Sequence, residues 1–134
     1  MLKKRDIEIV QRDWEQVERI AERAATLLYD RLFELDPSTR KLFKADLGEQ
    51  RLKIIRMIGA AVYGLSAPNI LMPIVGHLGR KHAALGVRPG HYATLEAALF
   101  WTLRKGLGPG FGPENEAAWR RVYGALADTM TAHP

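Results

Sequence analysis

The sequence predicts an all-α fold, and three observations support that prediction. Apolar residues recur at the helical spacing of three and four along the whole chain, and β-branched residues do not cluster in alternating runs. Glycine and proline mark short connections between these periodic segments. The chain has 134 residues, a length that fits one domain over residues 1–134, built from six or seven helices or slightly more.

Three helices are expected in the first third of the chain. The first runs over about Lys4–Ile20 and the second over about Glu22–Leu35, each with a single apolar stripe. Asp36 can then cap a new segment, and Pro37 suits the first position of a helix. We therefore expect a short third helix over Ser38–Phe43, ending in an aromatic residue.

Four longer segments follow with the same periodicity. Helices are expected over about Gly48–Leu65, Asn69–Leu85, His91–Leu107 and Pro113–Met130. Gly86 is well placed to end the second of these as a left-handed residue just beyond the helix. Breakers separate the others, so that the whole chain is predicted to be a set of helices with short links.

Composition excludes several classes of function. The chain has no cysteine, which rules out disulfides, zinc ribbons, iron–sulfur clusters and haem attached through thioethers. The net charge of +5 would allow contact with nucleic acid, but the basic residues are interleaved with acidic ones, which favours a solvated surface or an acidic protein partner. No targeting segment or membrane span is apparent, so a cytoplasmic location is expected.

One histidine stands on an apolar helical face near a helix end. Leu78 and His82 are four residues apart and share a face, and Leu85 lies close to it. An imidazole in this setting can bind a metal through one nitrogen while the Leu78 carbonyl accepts the N–H of the other. The alternative is a histidine that is only a satisfied core or surface residue.

Two further residues with polar ends interrupt apolar faces, namely Tyr29 and Gln50. Each of them could simply bond a backbone carbonyl in the core. Considered with His82, however, they suggest an iron between the imidazole on one side and the phenol and amide on the other. Both groups are donors that could stabilise the negative charge on an iron-bound ligand.

Several segments together resemble the globin family over nearly the whole chain. Residues 78–87 resemble the proximal histidine region of neuroglobin and of bacterial single-domain globins. Residues 29–33 with Asp36-Pro37 resemble the second helix and the following corner, and Leu42-Phe43 matches the phenylalanine that wedges against haem. Residues 118–124 resemble the last helix of bacterial globins and flavohaemoglobins.

The resemblance implies a non-covalent haem b and a role for each matching residue. His82 becomes the proximal iron ligand, Phe43 the packing aromatic, Tyr29 and Gln50 the distal pair and Ile54 a distal apolar residue. Lys53 could pair with a haem propionate, with Arg80 a weaker candidate, although both could be ordinary surface charges. The remaining residues expected to line the cofactor pocket are Leu78, Val87, Tyr92 and Leu95.

The distal pair also implies a function. A tyrosine with a glutamine resembles flavohaemoglobins, in which the pair accompanies tight binding of dioxygen and conversion of nitric oxide to nitrate. The flavin and nicotinamide domains of those proteins are missing from this sequence, so turnover would need a separate reductase. The alternative is an oxygen or redox sensor, or an oxygen-binding module without turnover.

One departure from that family concerns the proximal side. Flavohaemoglobins have a glutamate near the proximal histidine, whereas His133 or Pro134 falls at that position here. Without a carboxylate, His82 should be less polarised, which disfavours peroxidase-like chemistry.

Overall fold

The computed structural model of the chain describes residues 2–43 and 47–132, with the backbone alone for residues 47–50. These residues form helices and connections without any strand, which confirms the all-α prediction. None of the described helices is both long and apolar enough to cross a membrane. The helices are α1 (Lys4–Glu18), α2 (Ala21–Leu35), α3 (Leu47–Gly64), α4 (Pro68–Ala84), α5 (Pro89–Leu107) and α6 (Pro113–Thr131), with 3-10 turns at Pro37–Leu42 and Gly108–Gly110.

Four α-helices begin one or two residues earlier than predicted, and two of these, α4 and α5, begin at a proline. Pro68 opens α4 and Pro89 opens α5, because proline lacks the N–H that a first helical residue leaves unpaired. In α5 the Nδ1 atom of His91 accepts a hydrogen bond from the backbone N–H of Arg88 at 2.8 Å. His91 is therefore a capping residue in the first turn rather than the start of the helix.

All six α-helices contribute to one apolar core. The indoles of Trp14 in α1 and Trp119 in α6 lie 6.0 Å apart at its centre, and both are fully buried. Helical spacing in the sequence predicts an inward stripe on α2 made of Ala25, Leu28, Tyr29, Leu32 and Leu35. The first four are buried, whereas Leu35 is half exposed at the helix end, along an open groove between α2 and α5. The largest buried apolar residues besides the tryptophans are Leu28, Leu65, Leu103, Val10, Val62 and Val122.

Contact with α6 sets the position of α4. A β-carbon added at Gly79 would lie 2.6 Å from the Met130 Cα and closer still to its carbonyl oxygen. The two backbones therefore touch at a point where only glycine fits. Since His82 follows Gly79 by less than one turn, this contact also fixes where His82 lies.

Candidate functional site

The end of α4 is a helix-stop motif with two characteristic hydrogen bonds. Gly86 has a φ of 98°, in the left-handed region, as predicted. Its N–H donates to the Ala83 carbonyl at 3.1 Å, and the N–H of Val87 donates to the His82 carbonyl at 2.9 Å. This is the Schellman arrangement, which folds the chain back so that Val87 lies against the turn that carries His82.

The His82 imidazole is partly buried in the last turn of α4. Burial lowers its pKa, and the nearby charge of Lys81 lowers it further. The ring is therefore neutral at neutral pH, with a nitrogen lone pair that can bind a metal. Within the described part of the chain the imidazole makes no hydrogen bond, so the bond expected to the Leu78 carbonyl is not formed.

Apolar side chains on the same side of α4 are left exposed. Ile74, Leu78 and His82 follow one another at intervals of four residues and share a face. Leu78 is only partly buried, Ile74 is 59% exposed and Leu85, three residues after His82, is 75% exposed. An apolar row of this kind next to a neutral imidazole suits a large apolar partner.

Helix α3 has two apolar faces rather than one. Ile55 and Val62 are buried in the core. Helical spacing in the sequence predicts one stripe with Gln50 at its head, followed by Ile54, Met57, Ile58 and Ala61. Its centre lies about a quarter turn away from Ile55 and Val62, and Met57 is 50% exposed. The predicted stripe is therefore a second apolar face of α3, and its exposed part does not pack into the core.

The two incompletely buried faces meet where α3 and α4 are joined. A β-carbon added at Gly64 would lie 2.8 Å from Cδ1 of Leu71. Gly64 is two turns after Met57, and Leu71 is three turns before His82, so each lies on the face in question. The Met57 face of α3 and the His82 face of α4 are therefore turned toward each other.

Tyr29 lies in an aromatic cluster at the α2 side of this region. Its ring is buried, 5.0 Å from the Phe43 ring in an edge-on contact and 5.7 Å from the Phe33 ring. Burial raises the pKa of the phenol, against a smaller opposing effect of the Arg51 charge. The hydroxyl therefore stays protonated and able to donate at neutral pH.

The other predicted residues vary in burial. Ile54 and Leu95 are partly buried and pack against the core, whereas Lys53 is exposed. Tyr92 is partly buried, which raises the pKa of its phenol, and its backbone carbonyl accepts a hydrogen bond from the Tyr123 hydroxyl at 2.6 Å.

Three residues discussed in the sequence analysis have no described side chain. Gln50 lies in the first turn of α3, but its side chain is outside the described part of the structure. His133 and Pro134, at the position of the missing glutamate, also lie outside the described residues.

Arg51 lies near Tyr29 but was not singled out in the sequence analysis. Its Nη1 atom donates to the Thr26 hydroxyl at 3.4 Å, which joins the start of α3 to α2. The sequence signal that could have revealed it is that Arg51 shares a helical arc with Ile55 and Val62, so that a charged residue precedes an apolar row.

This donor set fits a haem. A bare metal ion needs several protein ligands, and the described residues contain no group of three or more histidine, cysteine or carboxylate side chains that could supply them. A porphyrin brings four nitrogen ligands of its own and asks the protein for an axial donor and an apolar cleft. His82 is an axial donor of this kind. The apolar faces that carry Ile74 and Leu85 on α4 and Met57 on α3 would form the walls of the cleft.

Comparisons with known proteins agree with this geometry. The family model described as Globin matches residues 26–130. A neuroglobin of Tetraodon nigroviridis is 28% identical over 144 residues, covering 97% of this chain and 91% of the relative. The crystal structure of a bacterial globin from Campylobacter jejuni superposes with a TM-score of 0.81 at 22% identity, covering 96% of this chain and 93% of that one.

A second group of relatives is much longer than this chain. A flavohemoprotein of Bordetella parapertussis is 32% identical over 105 residues, or 76% of this chain. The match spans 26% of that relative, so the chain corresponds to about a quarter of its length.

Proposed function

This chain belongs to the globin family, and from that premise we propose that it is a haem b protein whose iron is bound by His82. The ligands would be dioxygen and nitric oxide, with Tyr29 and Gln50 as the distal pair. Among the pocket residues, Phe43 and Ile54 would pack on the distal side, and Lys53 would pair with a propionate. The proximal contacts would come from Leu78, Val87, Tyr92 and Leu95.

One observation carries the proposal, namely the neutral imidazole of His82 on an incompletely buried apolar face. Two local contacts hold it in place: the Schellman turn at Gly86 and the backbone contact of Gly79 with α6. Because burial lowers the pKa of the ring, binding of iron would not have to displace a proton at neutral pH.

The distal residues would act by donating hydrogen bonds. A bound haem supplies an iron that takes up diatomic ligands and exchanges electrons. The Tyr29 phenol is protonated at neutral pH, burial raises its pKa further, and its ring packs against the rings of Phe33 and Phe43. Its O–H, together with the Gln50 amide, would stabilise negative charge on a ligand in a site from which apolar side chains exclude water.

We further propose that the reaction is dioxygenation of nitric oxide, in which both atoms of dioxygen are added to nitric oxide to give nitrate. The balance requires one electron for each nitrate formed, and a separate reductase would supply it. Support comes from the tyrosine–glutamine pair, which this chain has in common with flavohaemoglobins, and from the flavohemoprotein relatives. Two strong distal donors also argue against simple oxygen delivery, because they slow the release of dioxygen.

Haemin titration tests the iron ligand. The purified protein should develop a Soret band with one equivalent of haemin, and His82→Ala should lose the spectrum of histidine ligation. His77→Ala is the matched control, since His77 is exposed on the same helix and should behave as wild type. A protein that stays colourless, or a His82→Ala variant with normal histidine ligation, would disprove the assignment.

Nitrate analysis tests the reaction. The reduced protein in air should convert nitric oxide to nitrate over many turnovers when an external electron source is added. If dioxygen binds but nitrate does not form beyond the uncatalysed level, the sensing or binding alternative would replace the enzymatic one.

A further inference from the structure

The Arg51 side chain is partly buried, and most of its N–H donors have no acceptor among the described residues. Its Nε atom is buried and has no hydrogen-bond partner within the part of the chain that the structure describes. The Nη1 bond to Thr26, at 3.4 Å, is at the long limit for a hydrogen bond. A guanidinium carries five N–H donors, so most of its capacity is unused among the described residues.

Two other arginines of the chain have a partner for their charge. Arg121 binds both oxygens of Asp6 at 2.8 Å, in a two-pronged ion pair. Arg31 also has a buried Nε without a partner, but it lies 3.7 Å from the Glu34 carboxylate and over the Trp101 ring. Arg51 forms no ion pair with a described carboxylate.

A partly buried cation without a counter-charge is unfavourable, because it gives up hydration without an ionic partner. Replacing it with an apolar residue of similar volume would often be neutral or stabilising. The position of Arg51 is therefore better explained by an anion that binds there than by the stability of the fold.

The neighbours of Arg51 locate that anion. Thr26 and Tyr29 are three residues apart on one face of α2, and Arg51 contacts the first of them. Its charge also acts on the phenol of Tyr29, where it partly opposes the burial that raises the pKa of that group. The guanidinium thus belongs to the α2–α3 interface and contacts the same face of α2 that carries Tyr29.

We propose that Arg51 is an anion-binding residue of the ligand pocket, which favours small inorganic anions over neutral ligands. This inference rests on the proposed haem site, because the pocket beside Tyr29 is a ligand pocket only if haem binds there. Nitrate, the product of the proposed reaction, is an anion of this class, so Arg51 would also slow the release of product.

Ligand titrations of the haem-loaded protein test this. Arg51→Gln removes the charge and should weaken azide binding to the ferric protein by about ten-fold, the loss of one charge-assisted hydrogen bond. Carbon monoxide binding to the ferrous protein should change by less than about two-fold, because that ligand carries no charge. Arg51→Lys keeps the charge and should retain most of the azide affinity.

Two controls complete the experiment. Arg56→Gln removes an exposed charge from the opposite side of α3 and should leave azide binding unchanged. Arg51→Met keeps the apolar stem and repeats the test if Arg51→Gln folds poorly.

Two failures can be told apart. A wild-type protein that takes up no haem would overturn the proposed function and this inference with it. A normal haem spectrum with equal azide affinity in wild type, Arg51→Gln and Arg51→Met would overturn only the role of Arg51.

Discussion

Tyr29 shows what a buried polar side chain contributes at the scale of a single residue. Its place on an apolar helical face can be seen in the sequence, but the sequence leaves open whether the hydroxyl merely bonds a backbone group. In the structure the ring packs against the rings of Phe33 and Phe43, which also contact each other, and burial raises the pKa of the phenol. The residue is therefore a fixed, neutral donor.

Tyr29→Phe removes only the hydroxyl and keeps the aromatic packing. In the haem-loaded protein we expect dioxygen to dissociate about ten-fold faster, since loss of one hydrogen bond worth roughly 1.4 kcal/mol changes a rate by that factor. Stopped-flow release of dioxygen measures this directly.

Tyr63→Phe is the matched control for that experiment. Tyr63 lies near the end of α3, where its hydroxyl bonds to Glu18, away from the aromatic cluster. The control should leave the rate unchanged. Equal rates for Tyr29→Phe and wild type would mean that the Tyr29 hydroxyl does not reach the ligand.

At the scale of one element, α4 shows how two glycines in the same helix can have opposite roles. A β-carbon at Gly76 would meet only ordinary contacts, the nearest 3.9 Å away on Arg80. A β-carbon at Gly79 would instead overlap the backbone of Met130. Helix propensity favours alanine at both positions, so the difference between them comes from packing against α6 alone.

Gly79→Ala should therefore destabilise the protein by about 2 kcal/mol or more, because α4 and α6 would have to move apart. Gly76→Ala should stabilise it by about 0.5–1 kcal/mol, as expected for an unhindered glycine in a helix. Urea unfolding of the two variants measures both changes. Similar stability of the two variants would show that the α4–α6 contact is not this close.

At the scale of the whole molecule, polar contacts join the first helix to the last. Asp6 of α1 binds Arg121 of α6. Two turns further along α1, the Asp13 carboxylate accepts hydrogen bonds from Trp119 Nε1 at 3.0 Å and from Asn115. These contacts span more than a hundred residues of sequence and fix α6 against α1.

The Asp6 pair predicts a pH dependence. The bond from Arg121 lowers the pKa of Asp6 below its ordinary value of 3.8, so the stabilisation is present above about pH 4 and is lost as the pH falls through the folded-state pKa. Asp6→Asn should lower the melting temperature by several degrees at pH 7. The difference from wild type should shrink as the pH approaches 2, and a difference independent of pH would contradict this.

Much of the architecture could be predicted because its causes are local. Apolar periodicity predicted the order of the helices and most of their ends. Gly86 predicted the turn after α4, since a left-handed residue favours glycine whatever surrounds it. His82 and Tyr29 could be singled out because each interrupts an apolar face.

What the sequence could not decide depends on residues far apart in the chain. The packing of the helices against one another decides three things that the sequence leaves open. It decides whether the Met57 face of α3 is turned to the core, why residue 79 must be glycine, and that the Nε atom of Arg51 is buried without an acceptor among the described residues. Helical periodicity depends on residues that are close together in the chain. The sequence by itself therefore determined where the helices lie and which polar residues, such as His82 and Tyr29, interrupt their apolar faces. Burial, close backbone approach and unpaired charge depend on contacts between helices, and these only the tertiary structure decided.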